Sequence, residues 1–224
     1  MRVIFTGGGT LGHVTPNLAV IEELTNRSRK HHVMYVGAKK GVEKTAVTRF
    51  MDGLEFHNFQ YKGIVSGKLR RYFSLQNFFD IFKVGIGCIQ ALQIVRKFDP
   101  HVIFSKGGFI SVPVVFGAAV VNFFRKKDRR INIIVHESDI VPGLANKIGS
   151  KFADKVLISF EESRKYFKKV SRKVELVGNP IRKAVLKGSS ERGMKLCGFN
   201  RFKDVLLVMG GSQGATQINE LVWE

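Results

Sequence analysis

The sequence predicts an α/β protein, built on a parallel β-sheet with helices packed on both faces. Three observations support this fold class. Short apolar runs alternate with longer helical patterns along most of the 224 residues. The apolar runs are nearly continuous, as expected for parallel strands that are buried on both faces. Three of them lead straight into a glycine-rich turn and then a helix, beginning at Val3, Val102 and Val205.

The elements follow from these patterns in chain order. Runs of β-branched and aliphatic residues predict strands at 3–5, 33–36, 54–59, 102–104, 131–135, 156–158, 174–177 and 205–209. Helical periodicity predicts helices at about 16–26, 42–50, 75–96, 111–124, 143–151 and 161–168. Pro16 suits a first helical turn, where its missing N–H costs little.

Turn residues divide the chain into two unequal parts. Gly178, Asn179 and Pro180 begin a polar stretch that predicts a linker at 181–203, after a first domain at 1–180. Residues 204–224 then have room for one strand and one helix, which cannot bury a core by themselves. We therefore interpret them as the truncated start of a second Rossmann-like domain.

Composition narrows the possible partners. The net charge of +19 predicts an anionic partner, which could be nucleic acid, an acidic membrane surface or a phosphorylated substrate. Aromatic residues interleaved with the cations are sparse, which disfavours nucleic acid. Cys88 and Cys197 lack the spacing of a metal site. No apolar run predicts a membrane span, and the first strand begins too early for a signal peptide.

The first glycine loop contains residues that could bind a nucleotide or accept a proton. Gly7, Gly9 and Gly12 have the spacing of a dinucleotide fingerprint, but the acid expected after the second strand is replaced by lysines. The sequence therefore disfavours NAD binding, and an NADP-binding site stays an alternative. His13 at the end of the loop could accept a proton from a bound hydroxyl, or it could simply cap the helix.

Two further regions are candidate binding surfaces. Glu137 and Asp139 follow a strand and either cap a helix or bind sugar hydroxyls. The segment with Lys68, Arg70, Arg71, Phe79 and Phe82 combines cations with an excess of apolar residues, which favours docking on an anionic bilayer. The alternative is a fully buried helix after a solvated basic stretch. The basic clusters at 125–130 and 164–173 are interpreted as solvated faces or further membrane contacts.

Together these motifs resemble the MurG family, the glycosyltransferases of peptidoglycan synthesis that make lipid II. The resemblance covers essentially the whole chain and is carried by Gly7-Gly-Gly-Thr-Leu-Gly-His13, Gly67-Lys-Leu-Arg-Arg71, Phe104-Ser-Lys-Gly-Gly-Phe-Ile-Ser-Val-Pro113, His136-Glu-Ser-Asp139, Gly143-Leu-Ala-Asn-Lys147, Gly178-Asn-Pro-Ile-Arg182 and Gly210-Gly-Ser-Gln-Gly-Ala215. The chain departs from the commonest family pattern at Leu11, where a glycine is usual, and at Asp139, where an asparagine is frequent.

The resemblance implies a GT-B glycosyltransferase with two Rossmann-like domains and an active site between them. It implies inverting transfer of GlcNAc from UDP-GlcNAc to the MurNAc C4 hydroxyl of undecaprenyl-diphosphate-linked MurNAc-pentapeptide, at the cytoplasmic face of the membrane, with the enzyme bound peripherally. Neither a cofactor nor a metal is implied.

The same resemblance assigns expected roles to individual residues. His13 is the candidate catalytic base. The expected donor-binding residues are Thr10, Leu11, Gly12, Arg182 and Ser212. The expected acceptor-binding residues are Gly8, Gly9, Gly107, Gly108, Glu137 and Asp139.

Three other classes stay open from the sequence. They are an NADP oxidoreductase, a related transferase with another lipid acceptor, and the non-catalytic membrane subunit of a split transferase. Because most of the donor pocket would lie beyond Glu224, the isolated chain is expected to lack transferase activity and to bind UDP-GlcNAc negligibly.

Overall fold

A computed structural model describes residues 1–65, 67, 75–200, 204–210 and 215–223, and for 75–81 it describes the helical backbone alone. Seven strands form one sheet in the order β3-β2-β1-β4-β5-β6-β7, and every neighbouring pair is parallel. The strands are β1 Arg2–Thr6, β2 His32–Ala38, β3 Phe59–Ile64, β4 Val102–Ser105, β5 Asn132–Glu137, β6 Lys155–Ile158 and β7 Val174–Leu176. This confirms the predicted fold class.

Helices connect the strands and continue after the sheet. They are α1 Thr15–Arg27, α2 Val42–Gly53, α3 Leu75–Phe98, α4 Ser111–Phe123, α5 Leu144–Gly149, α6 Lys183–Leu186, α7 Ser190–Cys197 and α8 Thr216–Trp223. Segments of 3-10 helix lie at Leu11–His13, Lys127–Arg129 and Glu161–Lys173, the last interrupted by non-helical backbone at Phe167 and Val170. Within the described residues, no helix combines the length and apolarity that crossing a bilayer requires.

The sheet has a hydrophobic core on each face. Adjacent residues of β1 point to opposite sides, so that Ile4 packs in one core and Phe5 in the other. The Ile4 core includes buried residues of α3 and α4, among them Val95 and Val114. The Phe5 core includes residues of α1 and α2, such as Ile21. Both faces are covered, which explains why most strands lack polar alternation.

One predicted strand is displaced. The sequence predicts a strand at 54–59, but the chain there forms a turn in which Phe56 is buried, and β3 begins only at Phe59. β3 is an edge strand whose residues alternate between more and less exposed positions. It therefore needs fewer apolar residues than a central strand, and its sequence signal is weak.

The predicted strand at 205–209 is not a strand in the structure. These residues pair with no strand and are exposed. A strand requires a hydrogen-bonded neighbour, and neither edge of the sheet supplies one for this segment. The stretch predicted as a linker contains the short helices α6 and α7. The division into two domains stays a prediction.

Candidate functional site

The candidate site lies outside the carboxyl ends of β1, β4 and β5, where three loops meet. The chain builds β2 and β3 on one side of β1 and β4 to β7 on the other, so the strand order reverses between β1 and β4. Ligands of open α/β sheets bind in the crevice at such a reversal. The predicted glycine loops after β1 and β4 lie on the two sides of this crevice.

Glycines allow the two loops to pack directly against each other. Gly108 has a φ of +80°, and a Cβ atom there would lie 2.2 Å from the carbonyl oxygen of Gly8. Gly107 also has a positive φ, and a Cβ atom would meet the Asn146 side chain at 2.8 Å. A side chain at Gly108 would push the two loops apart, whereas one at Gly107 would displace the Asn146 amide, and the positive φ at both positions favours glycine. The contact at Gly108 therefore packs the two loops directly together.

His13 lies at the inner end of the first loop and is half-buried. Its Nδ1 is 3.1 Å from the carbonyl oxygen of Lys106. A carbonyl only accepts hydrogen bonds, so Nδ1 must carry the proton and the lone pair of the neutral ring lies on Nε2. Burial lowers the pKa of His13, and the nearby Lys106 ammonium lowers it further. The ring is therefore neutral at pH 7, as a proton acceptor must be.

Buried polar side chains hold this loop in place. The side-chain amide of Asn17 donates to the carbonyl oxygens of Thr6 and His13 at 3.2 and 3.3 Å. The hydroxyl of Tyr35 donates to the carbonyl oxygen of Gly7 at 2.8 Å. Because these groups are buried, the geometry of the loop depends on partners supplied by α1 and β2.

Lys106 is a buried cation between the loops, with 1% of its surface exposed. Its ammonium group donates to the hydroxyl of Ser138, which donates to Oδ1 of Asn179 at 2.8 Å. Burial lowers the pKa of Lys106 to about 8, while Glu137 and Asp139 oppose this shift. The side chain therefore remains mostly charged at pH 7 and places a positive charge beside Ser138, close enough to His13 to lower the pKa of that ring.

The Glu137 side chain is buried and makes its hydrogen bonds within the protein. Its carboxylate accepts from the backbone N–H groups of Asp139 and Gly143 at 2.9 and 3.1 Å, and from the Asn146 amide at 2.9 Å. Only 3% of Glu137 is exposed, so the carboxylate shapes the loop after β5 and is not presented at the surface. Asp139 is exposed at the same rim.

His136 connects the β5 loop to the end of the sheet. It is fully buried, and Nε2 donates to the carbonyl oxygen of Gly178 at 3.0 Å. Nδ1 has no hydrogen-bond partner among the described residues. Burial, together with the Lys106 charge, lowers the pKa of His136 to about 4. His136 is therefore neutral and structural.

The remaining predicted site residues fall into three cases. Gly9, Thr10, Leu11 and Gly12 lie in the loop that ends at His13, with Gly9, Thr10 and Gly12 exposed. Arg182 is not brought to the glycine loops, because its guanidinium lies over the Phe50 ring of α2, 5.9 Å from the ring centre. Ser212 lies outside the described residues.

The predicted membrane segment is described only in part. Lys68, Arg70, Arg71 and the side chain of Phe79 lie outside the described residues. Phe82 is 60% exposed, and Ile86 and Ile89 expose 49% and 60% on the same face of α3, one and two turns further along. The apolar face of α3 therefore extends beyond the residues that the sequence predicts.

The sequence interpretation assigned no function to several residues of the site. They are Asn17, Lys106, Ser138, Asn146 and Asn179. Lys106 offered one signal, since a lysine between a buried strand and two glycines is unusual, while the other side chains acquire partners only in the fold. Within the described residues, no group of three or more His, Cys, Asp or Glu side chains is arranged to hold a metal ion.

Comparisons with known proteins agree with this geometry. Residues 3–158 match the glycosyltransferase family 28 N-terminal domain. A UDP-N-acetylglucosamine--N-acetylmuramyl-(pentapeptide) pyrophosphoryl-undecaprenol N-acetylglucosamine transferase of Clostridium perfringens is 47% identical over 221 residues, which is 99% of this chain and 57% of that protein. The enzyme of the same name from Legionella pneumophila is 45% identical over 220 residues, which is 98% of this chain and 56% of that protein. The chain thus spans little more than half the length of these relatives.

Solved structures show the same fold. Acinetobacter baumannii MurG matches with a TM-score of 0.59 at 20% identity, over 83% of this chain and 47% of that one. A UDP-GlcNAc 2-epimerase from Neisseria meningitidis matches with a TM-score of 0.56 at 11% identity, over 88% of this chain and 52% of that one. At these identities the likeness concerns the fold alone.

Proposed function

The chain belongs to glycosyltransferase family 28, and from that premise we propose that it is the acceptor-binding half of a MurG-type N-acetylglucosaminyltransferase. The complete enzyme would transfer GlcNAc from UDP-GlcNAc to the C4 hydroxyl of MurNAc-pentapeptide linked to undecaprenyl diphosphate. The names of the curated relatives support both substrates. The reaction inverts the anomeric centre and uses neither a cofactor nor a metal.

The observation that carries this proposal is the state of His13. The ring lies between the two glycine loops with Nδ1 protonated and the lone pair on Nε2. A transferase needs such a group, because the C4 hydroxyl must lose its proton as its oxygen attacks C1 of the sugar. The C1–O bond to UDP breaks with its electron pair leaving on the diphosphate, and the proton moves to Nε2 of His13.

The glycine loops would hold the acceptor. The backbone around Gly8, Gly9, Gly107 and Gly108 can approach a ligand closely, and the positive charge of nearby Lys106 favours an anionic group. Asp139 is exposed at the rim and can accept from a sugar hydroxyl, whereas Glu137 would act by fixing the loop. An undecaprenyl diphosphate headgroup has both the charge and the sugar that this arrangement suits.

The donor would bind chiefly to the part of the enzyme that extends beyond this chain. Thr10, Leu11 and Gly12 would form the near wall of the donor site. Arg182 and Ser212 would contact the nucleotide, which for Arg182 requires a position other than the one over Phe50. The short length of this chain relative to its relatives is consistent with a donor pocket completed by further residues.

We also propose a peripheral location on the cytoplasmic face of an anionic membrane, because the acceptor is anchored in the bilayer. The exposed face of α3 at Phe82, Ile86 and Ile89 would enter the headgroup region. Lys68, Arg70 and Arg71 precede this helix in the sequence and would add electrostatic attraction.

The decisive experiment replaces His13 in a protein that includes the full length of the relatives. His13→Ala should lower kcat by roughly 10²–10⁴, the usual effect of removing a positioned general base. The KM for UDP-GlcNAc should change little, since His13 lies on the acceptor side. Asn17→Ala is the matched control, because it loosens the same loop without removing the base, and it should raise the acceptor KM more than it lowers kcat. A kcat that stays within a few-fold for His13→Ala would refute the catalytic assignment.

A further inference from the structure

A cavity of about 880 Å³ opens at the amino-terminal edge of the sheet, opposite the glycine loops. The starts of β1 and β5 and the segments between α3 and β4 and between α4 and β5 surround it. Its lining includes Arg2, Asp99, Arg125, Lys126, Arg129 and Arg130. None of the residues discussed above as donor-binding, acceptor-binding or catalytic lies in it.

The floor of this cavity is held by an ion-pair network. The guanidinium of Arg2 contacts the Asp99 carboxylate at 2.5 Å and donates to the Asp99 carbonyl oxygen at 2.7 Å. Arg125 contacts the other carboxylate oxygen of Asp99 and donates to the carbonyl oxygen of Arg129 at 3.2 Å. Asp99 has a φ of +52°, an unusual conformation that these contacts stabilise. The two arginines are therefore positioned before any ligand arrives.

The rim carries positive charge that the described residues do not neutralise. Lys126, Arg129 and Arg130 form no ion pair with any described carboxylate. The lining contains five cationic side chains and two carboxylates, which leaves an excess of three positive charges. Such an excess in a concave site concentrates anions.

His101 adds a hydrogen-bonding imidazole to this site. Its Nδ1 accepts the backbone N–H of Arg2 at 3.0 Å, so in this arrangement Nδ1 has no proton and Nε2 carries one. Phe124, which is 80% exposed, supplies an apolar wall. Arginine forks, an N–H donor and an apolar wall together match a phosphate or diphosphate group that is attached to an organic moiety.

We propose that this cavity binds an organic phosphate at a site separate from the transfer site. Arg129, Arg130 and Lys126 bind the phosphate oxygens, and the organic moiety lies against Phe124. The ligand is either a soluble phosphate ester or the phosphate headgroup of a lipid, which share this chemistry. The proposal does not depend on the transferase assignment, because none of its residues takes part in the transfer reaction.

The test is a titration of the chain with inorganic pyrophosphate at constant ionic strength, followed by NMR of the histidine imidazoles. His101 reports on this cavity and His13 on the glycine loops, so the two regions are distinguished in one experiment. The His101 signals should shift and saturate with a Kd of about 1 mM or lower. The double variant Arg129→Gln/Arg130→Gln should weaken binding at His101 roughly tenfold or more.

The matched control removes the same number of charges from the other basic cluster. Lys169 and Arg172 are exposed residues of the segment Glu161–Lys173, and the double variant Lys169→Gln/Arg172→Gln should leave the His101 titration unchanged within about twofold. Equal weakening by both double variants would show a general charge effect and overturn the proposal. An absence of His101 shifts up to about 10 mM pyrophosphate would also overturn it.

Vesicles distinguish the two sources of the ligand. If Arg129→Gln/Arg130→Gln weakens binding to phosphatidylglycerol vesicles, and pyrophosphate displaces the parent protein from them, the ligand is a lipid headgroup. If pyrophosphate binds at His101 while vesicle binding is the same for parent and variant, the ligand is a soluble phosphate ester. Either result supports the phosphate site.

Discussion

Mild acidification should destabilise this fold through His136. The ring is fully buried, its Nε2–H is bonded to the Gly178 carbonyl, and its Nδ1 has no partner among the described residues. A second proton would create a buried positive charge near the Lys106 ammonium. These conditions lower the pKa of His136 to about 4, against about 6.5 in an unfolded chain.

The sign and size of the effect follow from proton linkage. Because the pKa of His136 is lower in the folded state, the unfolded chain binds more protons between pH 6.5 and 4. Above pH 6.5 the ring is neutral in both states and His136 does not lower the free energy of unfolding. That free energy decreases as the pH falls from 6.5 towards 4. Between pH 7 and pH 5 the loss from this residue is roughly 2 kcal/mol.

Urea unfolding at pH 7 and pH 5 measures this loss directly. His136→Gln keeps an N–H donor for Gly178 but cannot be protonated, so its stability should fall by about 2 kcal/mol less than that of the parent over the same interval. His57→Gln replaces an exposed histidine and should retain the parental pH dependence. The reasoning is wrong if His136→Gln and the parent lose the same free energy of unfolding.

Two other perturbations test the loop packing and the membrane face. Gly108→Ala should lower the free energy of unfolding by about 2 kcal/mol or more, because φ is +80° and the new Cβ would meet the Gly8 carbonyl. Gly85→Ala, at an open position on the surface of α3, should instead raise it by about 0.5–1 kcal/mol. Urea unfolding measures both changes, and equal effects would refute the packing argument. The double variant Phe82→Ser/Ile86→Ser should weaken co-sedimentation with anionic vesicles at least about tenfold even at high salt. If the folded variant binds the vesicles as strongly as the parent protein, another face of the protein contacts the membrane.

The sequence was sufficient to predict the sheet where strands are buried on both faces. β1, β4 and β6 are short apolar runs, because each packs against helices on two sides, and they lie where the sequence predicts them. β3 was misplaced because an edge strand with one neighbour does not need an apolar run. The residues at 205–209 have strand composition, but composition does not supply a pairing partner.

The candidate site was predictable only where its chemistry is local in sequence. His13 and the glycines of the first loop lie within seven consecutive residues, and the glycines after β4 are likewise adjacent. The contacts of Lys106 are different, because Ser138 lies 32 residues further along the chain and Asn179 another 41. The structural use of the Glu137 carboxylate likewise depends on Asn146 and Gly143, whose positions only the folded loop determines.

The hydrogen bond between Ser138 and Asn179 places a constraint on how this sequence can evolve. The Ser138 hydroxyl accepts from the buried Lys106 ammonium and donates to the side chain of the exposed Asn179, so a residue without an acceptor at 179 would remove one link of this chain of hydrogen bonds. Replacement of one partner should therefore persist only with a compensating replacement of the other. Among related sequences, positions 138 and 179 are expected to covary, and lineages that lose the pair should also replace the lysine at 106.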